Sequence, residues 1–297
     1  MTIVDIETLA AGVPDGARLA IAKDDTGASI ATTLAMIRRR VRGLRLVCVP
    51  QAGLQADLLI GAGCVESVET SAVTLGEFGA APRFTAAVRS ARVRIIDATC
   101  PAVYAGLQAG QKGIPFMPLR GIVGSDLIER RGDWRIIDNP FADRDRIVAV
   151  AAIVPDVALF HAKAADRYGN VFLGRDRDGL LLAHASRRTL VTVERLLEGN
   201  LLEDDARSGA VLPSIYVTQI AVAPGATWPL GFRDDWGDDR ADDGRWLSHY
   251  AARAATAEGF EAVLGELMRA SNAIAAGAAG VPAPELPERS GSMGRPV

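Results

Sequence analysis

The chain has 297 residues, 49% of them apolar and 23% charged, with a formal net charge of −3. That is room for one large or two small domains around a sizeable core, and it gives no electrostatic case for nucleic acid. Aromatic residues make up 5%, which argues against a base-stacking platform, and no apolar run approaches the roughly 18–20 residues of a membrane span. Three cysteines (Cys48, Cys64, Cys100) and three scattered histidines (His161, His184, His249) make neither a disulfide framework nor a metal quartet. No metal is expected. The opening MTIVDIETLAAGVPDG has no charged-then-apolar signal layout, so a soluble protein of the reducing cytoplasm is expected.

Residues 3–11 read as a short helix closed by Gly12. Ala17–Ala22 (ARLAIA) is a first strand, short and apolar enough to be buried on both faces. The polar loop Lys23-Asp24-Asp25-Thr26-Gly27 follows, then a helix over about Ile30 to Arg40. Leu44–Pro50 is a second strand. Asp57–Gly63 (DLLIGAG) fits helix-to-strand or strand alone, and Cys64–Thr74 has the β-branched content of another strand. A Gly/Pro-marked loop precedes a helix over Phe84–Ala91.

From Arg92 to Leu127 the pattern concentrates. A strand (Arg92–Asp97) ends on an acid and the turn Thr99-Cys100-Pro101. A small-residue helix runs from Ala102 to about Gln111, with Gly113 as its C-cap. Then come the apolar run IPFMPLR and the loop Gly121–Asp126. This order is how an α/β protein builds the rim of a site at its strand ends; it is equally how it builds an ordinary, tightly packed βαβ unit. Strands separated by helices predict an α/β fold with an open, mostly parallel sheet flanked by helices.

Glu129–Asp145 reads as an exposed charged excursion. Strands are expected around Ile147–Ala152, Val157–His161, Leu180–Ala185 (LLLAHA), Thr189–Glu194 and within Ser214–Gly225, with a tight loop at Asp166–Asn170. Phe232–Trp246 is an acidic loop whose Trp236 and Trp246 suit a subunit contact. Residues 246–275 form one amphipathic helix bearing Leu247, Ala251, Phe260, Val263, Leu264, Leu267 and Met268. No linker divides residues 1–275, which are expected to form a single domain. The Ala/Gly/Pro/Ser-rich tail 276–297 is expected to be disordered.

The segments DGARLAIA, DLLIGAG, GEFGAAPRF, AGQKGIPFMPLRGIVGSDL and PDVALFHAKAADRYGNVFLG occur in that order over residues 13–195. In them the chain resembles the α (A) subunit of family I coenzyme A transferases, the glutaconate CoA-transferase-like branch in particular. That branch is similar in turn to acyl-CoA hydrolases of two subunits that open a ring in bacterial steroid breakdown. The resemblance implies an obligate β subunit of similar fold, in a heterodimer or heterotetramer, with the site at their interface. It also implies coenzyme A as substrate, no bound cofactor, and a partner glutamate that attacks the thioester. Relatives carry a Gly-Gly-Phe-type loop after the first strand, where this chain has Lys23-Asp24-Asp25-Thr26-Gly27. They often carry a glutamate beside an aromatic residue where this chain has Asp97-Ala98. Their arginine-bearing helix start is replaced here by Gly106 and its neighbours.

On that resemblance Thr26 and Gly27 would offer backbone N–H groups at a helix start to a developing anion, the competing reading being a plain N-cap. Asp97 is a candidate general base or orienting acid, or else a strand-end cap. Lys23, Asp24 and Asp25 are candidates for holding a CoA phosphate, a carboxylate-bearing acyl group or the partner's glutamate, against a solvated loop of mixed charge. Ser71, with Thr70, would reach the acyl pocket or bond to its own backbone. Arg120 would clamp an anion or pair with an acid such as Asp126, and Ser125 would bind substrate or form a turn. His161, at a strand end, reads first as a satisfied core histidine, and Cys100 as a packing residue. Three functions follow. The first is CoA transfer between carboxylic acids through a partner glutamate. The second is C–C hydrolysis of a cyclic β-oxo acyl-CoA, and the third a non-catalytic CoA-binding or structural subunit.

Overall fold

Alternation along short apolar strands sets the layers. In the first central strand Leu19 and Ile21 point into one core, while Ala20 and the following Ala22 point into another on the opposite face. The computed structural model describes residues 2–50, 52–232 and 244–276; the tail 277–297 and Trp236 lie outside them. In chain order the first half runs β1 (Thr2–Val4), α1 (Ile6–Ala11), β2 (Arg18–Ile21), α2 (Ile30–Arg38) and β3 (Leu44–Cys48). It continues through α3 (Leu54–Gly61), β4 (Val65–Thr70), α4 (Pro82–Arg89), β5 (Arg94–Asp97) and α5 (Cys100–Lys112). Next come β6 (Phe116–Leu119), α6 (Leu127–Arg130), β7 (Trp134–Asp138) and β8 (Arg146–Ala151). The second half is β9 (Val157–Asp166), β10 (Val171–Phe172), α7 (Asp178–Ala185), β11 (Arg188–Leu197), β12 (Val211–Leu212), β13 (Gln219–Val222), α8 (Arg245–Arg253) and α9 (Ala257–Ala275).

The large sheet is ordered β1-β13-β11-β9-β2-β3-β4-β5, and every neighbouring pair along that path is parallel. One core packs α1, α2, α3, α4, α8 and α9 on one face. The other holds α5, α7 and a small antiparallel sheet, β6-β8-β7, on the opposite face. The expected open, mostly parallel, helix-flanked sheet is therefore present. From β2 the chain steps outward through β3, β4 and β5, and later returns to lay β9 on the other side of β2. The order reverses there, so the crevice at the C-terminal ends of β2 and β9 is the topological switch point, where open α/β sheets bind ligands. No helix of the described residues is long and apolar enough to cross a membrane.

Several expectations are corrected. Residues 2–11 are a strand and a helix, with Asp5 between them capping α1 through Thr8 N at 2.7 Å. DLLIGAG is the end of α3. LLLAHA is helix α7, not a strand; it is buried on nearly every side, so its sequence has no amphipathic period to read. IPFMPLR supplies β6, which pairs antiparallel with β8 outside the main sheet. Glu129–Asp145 is no exposed excursion, because it carries β7 and the buried Arg131 and Trp134. Residues 246–275 form two helices, and Thr256 starts the second by accepting from Gly259 N at 3.1 Å. Trp246 is buried edge-on against Trp228 and His249 rather than offered to a subunit.

A buried ion network docks the small sheet. Arg131 donates to Glu69 at 2.6 Å and to both Asp133 oxygens at 2.8 Å, and its guanidinium lies 4.4 Å from the Trp134 ring centroid. Arg18 reaches the other Glu69 oxygen at 2.7 Å. Each charge that leaves water here has a partner, which is the condition for such burial to be tolerated.

Candidate functional site

The loop after β2 crosses the C-terminal edge of the sheet and is tied down from three directions. Lys23, a quarter exposed, places Nζ 2.9 Å from Asp178 Oδ2 at the start of α7, and Tyr104 of α5 donates to the other oxygen at 3.1 Å. Burial opposes the charge on Lys23, but the Asp178 carboxylate outweighs it and holds the ammonium protonated well above its ordinary range. Beside it Asp176 accepts from Asp178 N and Gly179 N, and burial pushes its carboxyl up to about 6.

Asp24 turns to the next strand's helix. Its oxygens accept from Gly53 N at 3.2 Å and Leu54 N at 2.8 Å, so it caps α3 from outside that helix. Burial pushes this carboxyl up to about 7 against those two hydrogen bonds. A Cβ at Gly53 would meet Asp24 Oδ2 at 2.3 Å, so only glycine leaves the cap room.

Gly27 makes the third tie. Its φ is +101°, its carbonyl accepts from His161 N of β9 at 2.6 Å, and a Cβ there would lie 2.2 Å from the His161 carbonyl oxygen. Position 27 thus needs glycine for both conformation and space. Ser29 then begins α2, whose N-terminus lies at the switch point. Thr26 Oγ1 is buried and has no hydrogen-bond partner among the described residues.

Asp97 and Ser71 stand elsewhere on the same edge. Thr70 pairs with Asp97 in register, so both lie at the ends of β4 and β5, and β5 is the sheet's last strand. Three strand spacings separate β5 from β2, roughly 14 Å. Asp97 is exposed, and its backbone oxygen accepts from Arg131 at 3.1 Å. Ser71 Oγ is 3.1 Å from Cys100 Sγ, and Thr70 Oγ1 donates to Ala72 O at 2.8 Å. Cys100 is exposed in the first turn of α5 rather than packed. Ser125 accepts from Leu127 N at 3.2 Å as a turn former, and Arg120 pairs in bidentate fashion with Asp145, not Asp126. The predicted residues therefore fall into a switch-point group (Lys23, Asp24, Thr26, Gly27), an edge group (Ser71, Asp97), and Arg120 and Ser125 beside the small sheet.

Sequence reasoning missed Tyr104, Asp176 and Asp178. Asp-x-Asp-Gly ahead of LLLAHA is an N-terminal helix signal, hidden once that run is read as a strand. It also missed Glu194, the partner of His161, which sits well inside the ten-residue β9 rather than at a strand end.

A family model described as coenzyme A transferase matches residues 3–223. The chain is 31% identical over 201 residues to the A-type subunit of 3-oxoadipate CoA-transferase from Pseudomonas knackmussii, covering 65% of this chain and 68% of that one. It is 29% identical over 241 residues to the cholesterol ring-cleaving hydrolase IpdA subunit of Rhodococcus jostii, covering 77% and 79%. A further relative, 29% identical over 202 residues, is spanned over only 43% of its length. The fold superposes on glutaconate coenzyme A-transferase of Acidaminococcus fermentans with a TM-score of 0.78 at 22% identity, over 90% of this chain and 88% of that one. The protein belongs to the coenzyme A transferase family.

Proposed function

We propose that this chain is the α subunit of a two-subunit enzyme that moves coenzyme A between carboxylic acids, and that the Lys23–Gly27 turn is its share of the active site. The observation that carries the reading is the coincidence of two things. The family match spans the whole β2–β13 sheet, and the turn at its switch point is fastened on three sides around a glycine that tolerates no side chain.

The chemistry runs through a carboxylate of the partner chain. That carboxylate attacks the thioester carbonyl; the C–S bond breaks, and CoA leaves as thiolate from a mixed acyl–glutamyl anhydride. The thiolate then attacks the glutamyl carbonyl and releases the first carboxylic acid as its carboxylate, leaving a glutamyl–CoA thioester. Reversal with a second carboxylate delivers the new acyl-CoA and restores the glutamate. Each step passes through an oxyanion, which preorganised backbone N–H groups stabilise. The backbone at the Gly27 turn and the start of α2 would supply such donors at the crevice.

A second reading has water replace the acceptor and cleave a C–C bond of a cyclic β-oxo acyl-CoA. Two observations favour it: the similarity to the ring-cleaving hydrolase subunit, and Lys23 and Asp24 standing where bare backbone is expected. The test is single-turnover trapping of the chain co-expressed with its genomic neighbour. After acyl-CoA and borohydride or hydroxylamine, transfer predicts modification of a partner glutamate. A ring-opened product that keeps its CoA thioester, with no adduct on the partner, supports C–C hydrolysis instead.

A further inference from the structure

Behind the Gly27 turn runs a chain of polar side chains that the chemistry above does not use. Thr192 Oγ1 lies 2.9 Å from His161 Nδ1 and 2.9 Å from Ser29 Oγ. Ser29 Oγ donates to Thr32 Oγ1 at 2.9 Å. At the other end His161 Nε2 is 2.9 Å from Glu194 Oε1, and Gly225 N is 3.0 Å from each Glu194 oxygen. Ser29, Thr32 and Thr192 are fully buried and His161 is 1% exposed, so no solvent completes these bonds.

Counting protons along the chain fixes the donors. Gly225 N–H needs an acceptor, so the Glu194 oxygens accept, and the contact to His161 is donated by Nε2. Ser29 has one hydroxyl proton and gives it to Thr32, so it accepts from Thr192. Thr192 has then spent its only proton and must accept from His161 Nδ1. Both ring nitrogens donate. With Glu194 ionised, a neutral ring would leave two lone pairs facing each other at 2.9 Å in a dry site, at the full cost of an unmade buried hydrogen bond. Placing the shared proton on Glu194 would instead leave Nε2 bare, and the nitrogen spectrum below separates the two placements.

We propose that His161 is held as an imidazolium donating from both ring nitrogens to Thr192 and Glu194, and that this buried pair is the positioning device for the Gly27 turn. The assignment of a catalytic consequence rests on the function proposed above; the ring's donor pattern does not. The surroundings agree. Glu194 on β11 supplies the counter-charge, Phe232 packs edge-on with centroids 4.7 Å apart, and the first turn of α2 brings no acid. Lys163, two positions along the same face of β9, lays its stem against Gly174, and Lys23 and Asp24 are committed to α7 and α3. The pair acts on the turn through the Thr192–Ser29 bond, which holds the residue that begins α2, while the backbone N–H of His161 on the same strand holds the Gly27 carbonyl.

The test is ring 15N NMR on the full-length chain labelled at histidine. With three histidines in the sequence, H161Q assigns the signal. The expected result at neutral pH is two proton-bearing nitrogens for His161, with one nitrogen becoming bare in E194Q. A bare nitrogen in the unmutated chain overturns the proposal, whether or not any acyl-CoA is turned over. In the reconstituted complex E194Q is expected to lower kcat at least tenfold with KM for acyl-CoA within twofold. Unchanged kcat in E194Q overturns the positioning role even if both nitrogens carry protons. Absence of any acyl-CoA activity in the unmutated complex instead overturns the proposed function and leaves the ring assignment to stand on the spectrum. If E194Q does not fold, T192V replaces it: the loss of kcat is expected again, with T192S restoring it, and full activity in T192V overturns the role.

Discussion

Two regions share the C-terminal edge of the large sheet and differ in how they are held. The turn after β2 sits between strands and is fastened to α3, α7 and β9 by Asp24, Lys23 and Gly27. The ends of β4 and β5 form the sheet's outer edge, where Asp97 is exposed and the Ser71 hydroxyl rests on the thiol of Cys100, itself exposed. On the two-subunit function proposed above, the difference separates two ways of contributing to a site between two chains. A fastened turn can present preorganised backbone by itself, whereas an exposed edge acquires its geometry only when a second chain covers it.

The comparison is broken most severely by G27A. A Cβ 2.2 Å from the His161 carbonyl, at φ +101°, should cost on the order of 3 kcal/mol or more in a denaturant titration. It should also lower turnover by roughly 10²-fold or more. Wild-type stability in G27A would show that the turn is not held as described.

Next in size is a pH effect at Asp24. Between the ordinary aspartate range near pH 4 and about pH 7 the native carboxyl keeps a proton that the unfolded chain has lost. The native state binds more protons, so stability falls as pH rises through that window, by at most about 1.4 kcal/mol per pH unit. Asp176 contributes with the same sign up to about pH 6. D24N, which keeps one oxygen for the α3 N–H groups, should flatten the slope above pH 6. An unchanged slope in D24N would place the titration elsewhere.

K23M should cost about 2 kcal/mol, because Asp178 loses a charged partner while keeping Tyr104. The smallest stability effect is expected at the edge. D97N should change stability by less than about 0.5 kcal/mol, and its kinetics then sharpen the functional reading. A loss of more than about 10²-fold in turnover fits acid–base chemistry by Asp97, and near-normal turnover fits transfer through the partner's glutamate.

The sheet is legible in the sequence because β2, β3 and the first half of β9 are short and largely apolar. Helix α7 is not, since burial on nearly all sides erases the amphipathic period that separates helix from strand. Antiparallel β6–β8 is hidden for another reason. Pairing direction is set by where a chain returns, and IPFMPLR reads the same in either sheet. Gly27 can be marked from sequence as the one glycine left in a loop after a first strand. The partners of Asp24, Lys23 and His161 cannot, because Leu54, Asp178 and Glu194 lie 30, 155 and 33 residues away and meet them only through the sheet order. Arg120 is a similar case: Asp126 is near in sequence, but Asp145 reaches the guanidinium through the β6–β8 pairing.

The most direct measurement is amide hydrogen exchange on the reconstituted two-chain complex, with and without acyl-CoA. The account predicts that bound acyl-CoA slows exchange over residues 22–30 more than over residues 95–102. Protection confined to 95–102, with 22–30 unchanged, would contradict it and move this chain's share of the site to the β4–β5 edge.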